Sequence, residues 1–364
     1  VSEPLGRLPA MANLRGLLSC ACLFHCTAEE RILSATYGIA RCLGVKDASD
    51  WEALAELGFN VVTVDTAHGL KNATSARSTT GLKSLCGFLS NIEYADGLPI
   101  TFSSPVDKST LDATDFNFTL SNGSWVQPIC VTTAPAGEGN EGNTVATIGY
   151  FGDGLVGDVY PVKVTIVGEL YLIAQNGKAV SAQGLEFTDT RDLKYTNPES
   201  SPRMVQARLQ PFSTAGEQLI GIGPWKGRFP NHCGHLYGSM VTHRIRVILS
   251  GGGTTDGVTS FLPDTPNVFQ VLLQNATQVA APYVLGIADL GSERTGDMTY
   301  AHDGDNYLDV CISDPRQEIV ASIAQLRMPC AETKLYYPRG AKHWSGCKDH
   351  AINVDSEISY EFHV

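Results

Sequence analysis

Charged residues and long apolar runs are both scarce in this chain of 364 residues. Asp, Glu, Lys and Arg make up 18% of it, and the formal net charge of −12 is spread without a cluster of lysine or arginine. Binding to nucleic acid requires a basic surface, so nucleic acid is not an expected partner. No segment reaches the ~18 uninterrupted apolar residues of a membrane-spanning helix, so no membrane partner is expected either.

Several common catalytic signatures are also absent from the sequence. It has no Gly-x-Ser-x-Gly nucleophile elbow, no His-Glu-x-x-His, no Walker loop and no dinucleotide fingerprint between a strand and a helix. A common serine hydrolase, a zinc protease and a nicotinamide enzyme are therefore disfavoured, and no cofactor or metal is expected.

The composition favours a mainly β fold. Hydrophobic residues make up 43% of the chain, which also holds 36 glycines and 18 prolines, whereas Leu-, Ala- and Glu-rich runs at helical spacing are few. Many short strands joined by turns account for this balance.

The N-terminal region has the pattern of a signal peptide. The run MANLRGLLSCACLFHCTA starts at Met11 and carries one arginine, an apolar stretch from Leu17 to Phe24 and a small-residue end at Ala28. We predict cleavage before Glu29 and a secreted or vesicular protein of the secretory pathway. The alternative is a buried N-terminal helix.

Sequons and cysteines also favour secretion. The Asn-x-Ser/Thr sequons predict N-glycosylation at Asn72, Asn117, Asn122 and Asn275. Seven of the ten cysteines lie after the predicted signal peptide: Cys42, Cys86, Cys130, Cys233, Cys311, Cys330 and Cys347. They allow three disulfides and one free thiol, whose pairing cannot be read from the sequence.

Two short helices and a strand are predicted near the N-terminus. In DASDWEALAELGF, Ser49 is the expected N-cap with Glu52 three residues later, which predicts a helix over 49–57. The β-branched run over 60–64 predicts a strand, and a second helix is expected over 81–91.

Regularly spaced turns predict an antiparallel β-sandwich after residue 95. The run LPITFSSPVDKSTLDATDFNFTLSNGSWVQPICVTT alternates strand-like stretches with turn clusters, and Asn122-Gly123 indicates a hairpin. The phrase FSSPVDKSTLDATDF, followed by VGELYLIAQNGKAV, resembles bacterial-type immunoglobulin-like modules, which informs the fold and not the chemistry.

A second region repeats this pattern. HRIRVILSGGGTTDGV matches LPITFSSPVDKSTLDA, NVFQVLLQNATQ matches DFNFTLSNGSW, and YVLGIADLG matches VATIGYFGDG. We predict two β-sandwich-like modules with a short helical N-terminal part; a closed, multi-bladed propeller-like assembly is the alternative. The predicted organisation is a signal region over 1–28, an N-terminal α/β segment over 29–95, an immunoglobulin-like module over 96–195, and a second β module with ligand-site loops over 196–364.

One predicted strand carries candidate catalytic cations. Alternation places Thr242, Arg244 and Arg246 on one face and His243 on the other. Two arginines could hold an anionic or enol oxygen by charge-assisted hydrogen bonds. The alternatives are a solvated face paired with acids, and a core position for the histidine.

Three further segments have chemical alternatives. His232-Cys233-x-His235 could bind a metal but is better explained as a half-cystine beside two histidines. After His302, the run Asp303-Gly304-Asp305-Asn306 resembles part of a calcium loop, but it lacks the later glutamate, and ordinary turn chemistry also explains it. The glycine-rich segment with Trp225 and Arg228 could either wall a ligand pocket or cover the edge of the core.

Longer runs resemble a known enzyme family. THRIRVILSGGGTTDGVTSFLP, SARSTTGLKSLCGFLSNIEYADGLPITFSSPVD and MTYAHDGDNYLDVCI are similar to the fungal hetero-Diels-Alderases of tropolone-sesquiterpenoid biosynthesis, over about residues 40 to 335. The resemblance implies a cofactor-free pericyclase whose partners are a polyketide-derived quinone methide and a humulene-type sesquiterpene.

Such a reaction needs an apolar pocket, orientation and a donor to the electron-poor carbonyl oxygen. Arg244 or Arg246 would supply the donor, while His302 or Asp303 would assist loss of water from the precursor. The expected substrate-binding residues are Trp225, Arg228, Thr242 and Tyr300. Two other classes stay open: a secreted ligand-binding or cell-surface module without catalysis, and a glycan-active enzyme with paired carboxylates.

Overall fold

The fold was analysed in a computed structural model. It describes residues 30–35, 44–45, 49–56, 61–66, 69–74, 77–78, 83, 86–87, 92, 95–133, 142–151, 159–174, 177–188, 204–212, 232–249, 269–279, 282–289, 307–329 and 350–356. Within these ranges strands dominate, so the predicted mainly β class is confirmed.

The strands are numbered in chain order. The first fourteen are β1 (Ile32–Ala35), β2 (Gly44–Val45), β3 (Val61–Thr66), β4 (Gly69–Thr74), β5 (Arg77–Ser78), β6 (Asp96–Phe102), β7 (Phe116–Leu120), β8 (Trp125–Val126), β9 (Cys130–Thr132), β10 (Thr144–Gly149), β11 (Pro161–Ile166), β12 (Tyr171–Ile173), β13 (Ala179–Ser181) and β14 (Glu186–Thr188). The others are β15 (Met204–Pro211), β16 (His243–Leu249), β17 (Gln270–Leu273), β18 (Gln278–Val279), β19 (Val284–Asp289), β20 (Tyr307–Ile312), β21 (Ile323–Met328), β22 (His350–Asn353) and β23 (Asp355–Ser356). The α-helices within the described ranges are α1 (Trp51–Glu56) and α2 (His232–Tyr237).

The first module is a sandwich of two four-stranded sheets. One has the order β1-β6-β10-β9 and the other β14-β11-β7-β8, with antiparallel pairing throughout. Alternate residues of both sheets meet in one core, to which β6 contributes Ile100 and Phe102 and β7 contributes Phe116 and Phe118. This strand order is that of immunoglobulin domains.

The second module repeats the order of the first. One of its sheets has the order β23-β15-β16-β20-β19, in which β23 is added parallel to β15 at the end of the same four-strand frame. The other sheet has the order β22-β21-β17-β18. Ile245 and Val310 of one sheet pack with Val271 and Leu326 of the other in a separate core.

The strands of the two modules correspond one to one in chain order. The frame strands of the first module are β1, β6, β7, β8, β9, β10, β11 and β14. Their counterparts in the second module, in the same order, are β15, β16, β17, β18, β19, β20, β21 and β22. The predicted repeat is therefore present, and the closed propeller alternative is not found in the described ranges. The third proposed match was wrong, because YVLGIADLG forms β19, the counterpart of β9, whereas VATIGYFGDG forms β10.

The N-terminal part differs from the prediction in two details. β1 lies inside the predicted α/β segment over 29–95, yet it pairs with β6, so the first module begins at β1 and not at residue 96. The N-cap of α1 is Asp50, whose carboxylate accepts from the N–H of Ala53 at 3.1 Å, and not Ser49. The predicted strand over 60–64 is present as β3, whereas most of the predicted helix over 81–91 lies outside the described residues.

Two disulfides attach long connections to the outside of the sandwiches. Cys86 bonds Cys130 on β9, and Cys233 of α2 bonds Cys311 on β20. In both modules the connection is the one between the first two strands of the frame. The disulfides indicate an oxidising compartment. Cys42, Cys330 and Cys347 lie outside the described residues.

Candidate functional site

The two predicted catalytic arginines meet on one buried carboxylate. Asp309 of β20 stands directly opposite Arg246 of β16, and Arg244 lies two residues earlier on the same face. The Arg246 guanidinium donates from Nε to Oδ1 at 3.0 Å and from Nη2 to Oδ2 at 3.1 Å, while Arg244 donates from Nη1 to Oδ2 at 3.4 Å. The predicted common face of the two arginines is therefore correct.

The pairing with an acid that was considered from the sequence is present, but this face is not solvated, because the cluster is shielded from water. Asp309 has no exposed surface and Arg244 is 6% exposed. Arg244 also donates from Nε to the side-chain oxygen of Gln210 on β15, at 3.2 Å. A carboxylate in this position satisfies two buried cations, and the bidentate geometry is the stronger form of such a contact. These bonds explain how β16 can carry two arginines whose guanidinium groups are largely buried.

Thr242 does not join the arginines. Its hydroxyl accepts from the N–H of Asp314 at 2.7 Å and lies 3.0 Å from Nδ1 of His243. Asp314, itself buried, accepts from the backbone N–H groups of Glu318, Ile319 and Val320, each at 2.9 Å. Thr242 and Asp314 therefore fix the connection between β20 and β21.

The pKa values of Asp314 and His243 are both shifted by their surroundings. Burial raises the pKa of Asp314, but the three backbone donors and nearby His243 together lower it below its ordinary value. Burial lowers the pKa of His243, with Asp314 opposing the shift. His243 is half-buried and belongs to neither described apolar cluster of the second module, so the core position considered for it from the sequence is not found.

Five of the predicted site residues lie outside the described residues: Trp225, Arg228, Tyr300, His302 and Asp303. The described strands show where the chain leaves for these segments. The connection with Trp225 and Arg228 starts after Pro211, which is opposite His243, whereas the one with Tyr300 ends before Tyr307, which is opposite Ile248. The two segments thus join β15 and β20 at opposite ends of the sheet.

The His232-Cys233-x-His235 segment is a half-cystine site, as the simpler explanation predicted. Cys233 is consumed by its disulfide with Cys311 and is fully buried. In the described part of the chain no three His, Cys, Asp or Glu side chains gather where they could hold a metal ion. No helix there is long and apolar enough to cross a membrane.

The four sequons occupy different environments. Asn122 and Asn275 are exposed in the turns that join β7 to β8 and β17 to β18, whereas Asn117 lies within β7. Asn72 lies in β4, and its side chain is not among those described.

Sequence reasoning missed one surface. On the outer side of the sheet β14-β11-β7-β8, Lys163 and Thr165 donate to the Glu186 carboxylate at 3.0 and 2.9 Å, and these bonds lower the pKa of Glu186. Trp125 of β8 is 62% exposed. The alternation of FNFTL would have indicated the polar face, but nothing in the sequence marked Trp125 as its edge.

Comparison with known proteins adds little. No family model matches the chain, and no curated protein matches it. The crystal structure of the S-layer protein rSbsC is similar at a TM-score of 0.19 and 13% identity, covering 71% of this chain and 39% of that chain. The chain thus spans less than half of that protein, and a likeness of this size carries no argument.

Proposed function

We propose that the chain is an extracellular tandem of immunoglobulin-like modules that binds or spaces partners at a cell surface and performs no catalysis. The observation that carries this proposal is the repetition of one eight-strand frame, with a separate core in each copy. A repeated sandwich supplies two rigid platforms, on which binding groups are positioned by strands and turns.

The cation pair supports a structural role over a catalytic one. Arg244 and Arg246 were the expected donors to a carbonyl oxygen, but both donate to buried Asp309. A substrate oxygen would have to displace that carboxylate inside the sheet, which costs several kcal/mol for an unpaired buried ion. The pair is therefore better suited to joining β16 to β20.

Extracellular placement rests on separate features. Two disulfides fasten the modules, and two sequons lie on exposed turns. Disulfides persist in oxidising compartments, and N-glycans are added in the secretory pathway. The signal peptide predicted from Met11 would direct the chain there.

Location is tested with the chain's own N-terminal segment. A full-length chain with a C-terminal tag, expressed from Met11 in yeast, should appear in the medium or be digested by protease added to intact cells. A tag that resists protease until the cells are lysed would refute extracellular placement. A cytosolic protein carrying the same tag is the control for leakage.

Cycloaddition is the second candidate, supported by the three runs that resemble hetero-Diels-Alderases. Purified protein treated with EDTA is incubated with a hydroxymethyl tropolone precursor and humulenol, and the adduct stereochemistry is compared with a tube without protein. The non-catalytic proposal predicts the same rate and product ratio in both tubes. A faster, stereoselective reaction would replace it with the pericyclase.

A further inference from the structure

Two turns at corresponding places have the same backbone structure. In the hairpin over 120–124, the N–H of Leu120 donates to the carbonyl of Ser124 at 2.8 Å, and Gly123 donates back to Leu120 at 2.9 Å. The hairpin over 273–277 makes both bonds again, at 2.9 and 2.8 Å, among Leu273, Ala276 and Thr277. Gly123 and Ala276 both have positive φ, at 83° and 61°. These are three-residue hairpin loops with a left-handed residue in the same place.

Both turns present a sequon in one conformation. Oδ1 of Asn122 accepts from the N–H and the hydroxyl of Ser124, at 3.0 and 2.7 Å. Oδ1 of Asn275 accepts from the N–H of Thr277 at 3.0 Å. The oxygen is the bonded atom, and the amide nitrogen to which a glycan is attached makes none of these bonds. Both asparagines are exposed, so a glycan at either displaces no packed group.

Asn117 is a contrasting sequon in the same module. It lies in β7 between β11 and β8, and its Oδ1 is buried without a hydrogen-bond partner. A glycan at Asn117 would have to draw this side chain out of the sheet surface. The folded first module therefore accommodates a glycan at Asn122 more readily than at Asn117.

The two hairpins also lie at free sheet edges. Among the described strands, β8 and β18 each end a sheet order and have one neighbour. An open strand edge can pair with another chain, and natural proteins block such edges with charge, shortness or cover. At β8 the hazard is increased by the exposed ring of Trp125, three residues after Asn122; the corresponding residue after Asn275 is Gln278.

We infer that Asn122 and Asn275 are a matched pair of N-glycosylation sites, one on each module, whose glycans cover the free edges at β8 and β18. The inference rests on the proposed extracellular placement, because a chain receives N-glycans only when it enters the secretory pathway. It goes further by assigning two of four sequons and a purpose for their glycans.

Occupancy is measured on the full chain driven into the secretory pathway by a host leader, so that this test is separate from the natural location. The secreted monomer is treated with amidase in heavy-oxygen water, which marks each former glycan site as labelled aspartate for peptide mass spectrometry. Label is expected at positions 122 and 275 and absent at 117. Glycans found only at other sequons, or none at all despite the leader, would overturn the assignment and leave extracellular placement standing.

Matched variants confirm that the label reports the sequon. Ser124→Ala and Thr277→Ala should each abolish label at the preceding asparagine, whereas Ser124→Thr should keep it. Label that persists at position 122 in Ser124→Ala would show that the signal does not come from N-glycosylation.

Edge cover is tested by light scattering after size-exclusion chromatography. Asn122→Gln should raise the associated fraction at least threefold over wild type, Asn275→Gln less, because Gln278 replaces Trp125 there, and Asn117→Gln not at all. Adding Trp125→Thr to Asn122→Gln should restore the monomer.

Enzymatic deglycosylation separates loss of the glycan from damage to the turn. The amidase leaves aspartate, which keeps the Oδ1 acceptor of the turn, so association should rise as in Asn122→Gln. Enzymatic deglycosylation uses the secreted wild-type protein, so it still tests the covering role if a variant is not secreted. Monomeric deglycosylated protein would overturn the covering role.

Discussion

The two modules share a strand frame but join its central strands differently. In the first, β6 and β10 present Thr101 and Thr144 directly opposite each other, with hydroxyl oxygens 3.3 Å apart. In the second, the corresponding strands β16 and β20 present Arg246 and Asp309. The same two neighbouring strands therefore carry a neutral pair at one end of their ladder in the first module and an ion cluster inside the ladder in the second. Loss of one member should cost more in the ion cluster than in the neutral pair, because a buried charge then loses an oppositely charged neighbour.

The disulfides show a second difference within the same plan. Each ties the connection between the first two frame strands to the outside of the sheet, but one does so at β9 and the other at β20. The closed loops differ as well, with sequence separations of 44 and 78 residues. The connections therefore diverged more than the frames that hold them.

The largest expected effect is loss of a disulfide. Under the chain-entropy relation, the paired changes Cys233→Ser with Cys311→Ser should cost about 4.5 kcal/mol, and Cys86→Ser with Cys130→Ser about 4 kcal/mol. Urea unfolding of the full chain measures both, and hydrogen exchange of β6 and β16 identifies the affected module. Equal protection of β6 and β16 from hydrogen exchange in either paired variant would contradict the expectation that each disulfide stabilises its own module.

Removing the central carboxylate should be nearly as costly. Asp309→Asn removes the negative charge to which buried Arg244 and Arg246 donate, which predicts a loss of about 3 kcal/mol. For comparison, Thr144→Val in the first module removes a neutral hydroxyl that lies 3.3 Å from the hydroxyl of Thr101, and it should cost about 1 kcal/mol. Thermal unfolding of both variants makes the comparison. Similar losses would show that the ion cluster is hydrated in solution.

The sequon hairpins allow a reciprocal exchange. Gly123→Ala places a β-carbon at φ 83° and should destabilise by about 1 kcal/mol, whereas Ala276→Gly relieves φ 61° and should stabilise by up to about 1 kcal/mol. No atom lies within 4 Å of a β-carbon built at Gly123, so the effect is conformational and not a clash. Both changes keep the sequons. Opposite shifts of the urea midpoint are expected, and shifts of one sign would refute the equivalence of the turns.

The smallest expected effect is a difference in acid response. The pKa of Asp314 is lowered, so its contribution is present above the unfolded value near pH 4 and is lost as the pH falls through the folded pKa. Burial raises the pKa of Asp115 in the first module, so its contribution has the opposite sign and is lost as the pH rises through that raised pKa. Unfolding free energies between pH 6 and pH 3 should fall less steeply in Asp314→Asn than in wild type. The same pH dependence of the unfolding free energy in both proteins would show that Asp314 does not contribute to the acid response.

Local patterns were enough to predict much of the fold. Turn clusters and alternation predicted the strands between 98 and 133, and the strand after α1 followed from its β-branched residues. The repeat was recognised, but its third match slipped by one strand because apolar stretches of similar length differ little in sequence. The pairing of β1 with β6 depends on contacts across more than 60 residues, which no local pattern contains.

The site was harder to predict for the same reason. Alternation correctly placed Arg244 and Arg246 on one face, but their partner Asp309 follows 63 residues after Arg246. Without that partner the arginines resembled free donors for a substrate. The disulfide of Cys233 likewise spans 78 residues. Local sequence reveals which side chains share a face, whereas the charge they meet is decided by how distant strands pair.

The added strand β23 bears on how the second module would resist mechanical force. It runs parallel to β15, with Arg208 opposite Asp355 and Leu209 opposite Ser356. Tension that enters before Met204 and leaves after Ser356 would pull these neighbours in opposite directions along their length. Their hydrogen bonds would then be sheared together and not opened one after another, which requires a larger force for the same number of bonds. If the chain spaces partners at a cell surface, as proposed, β23 would thus add shear-loaded hydrogen bonds against a pull along the chain.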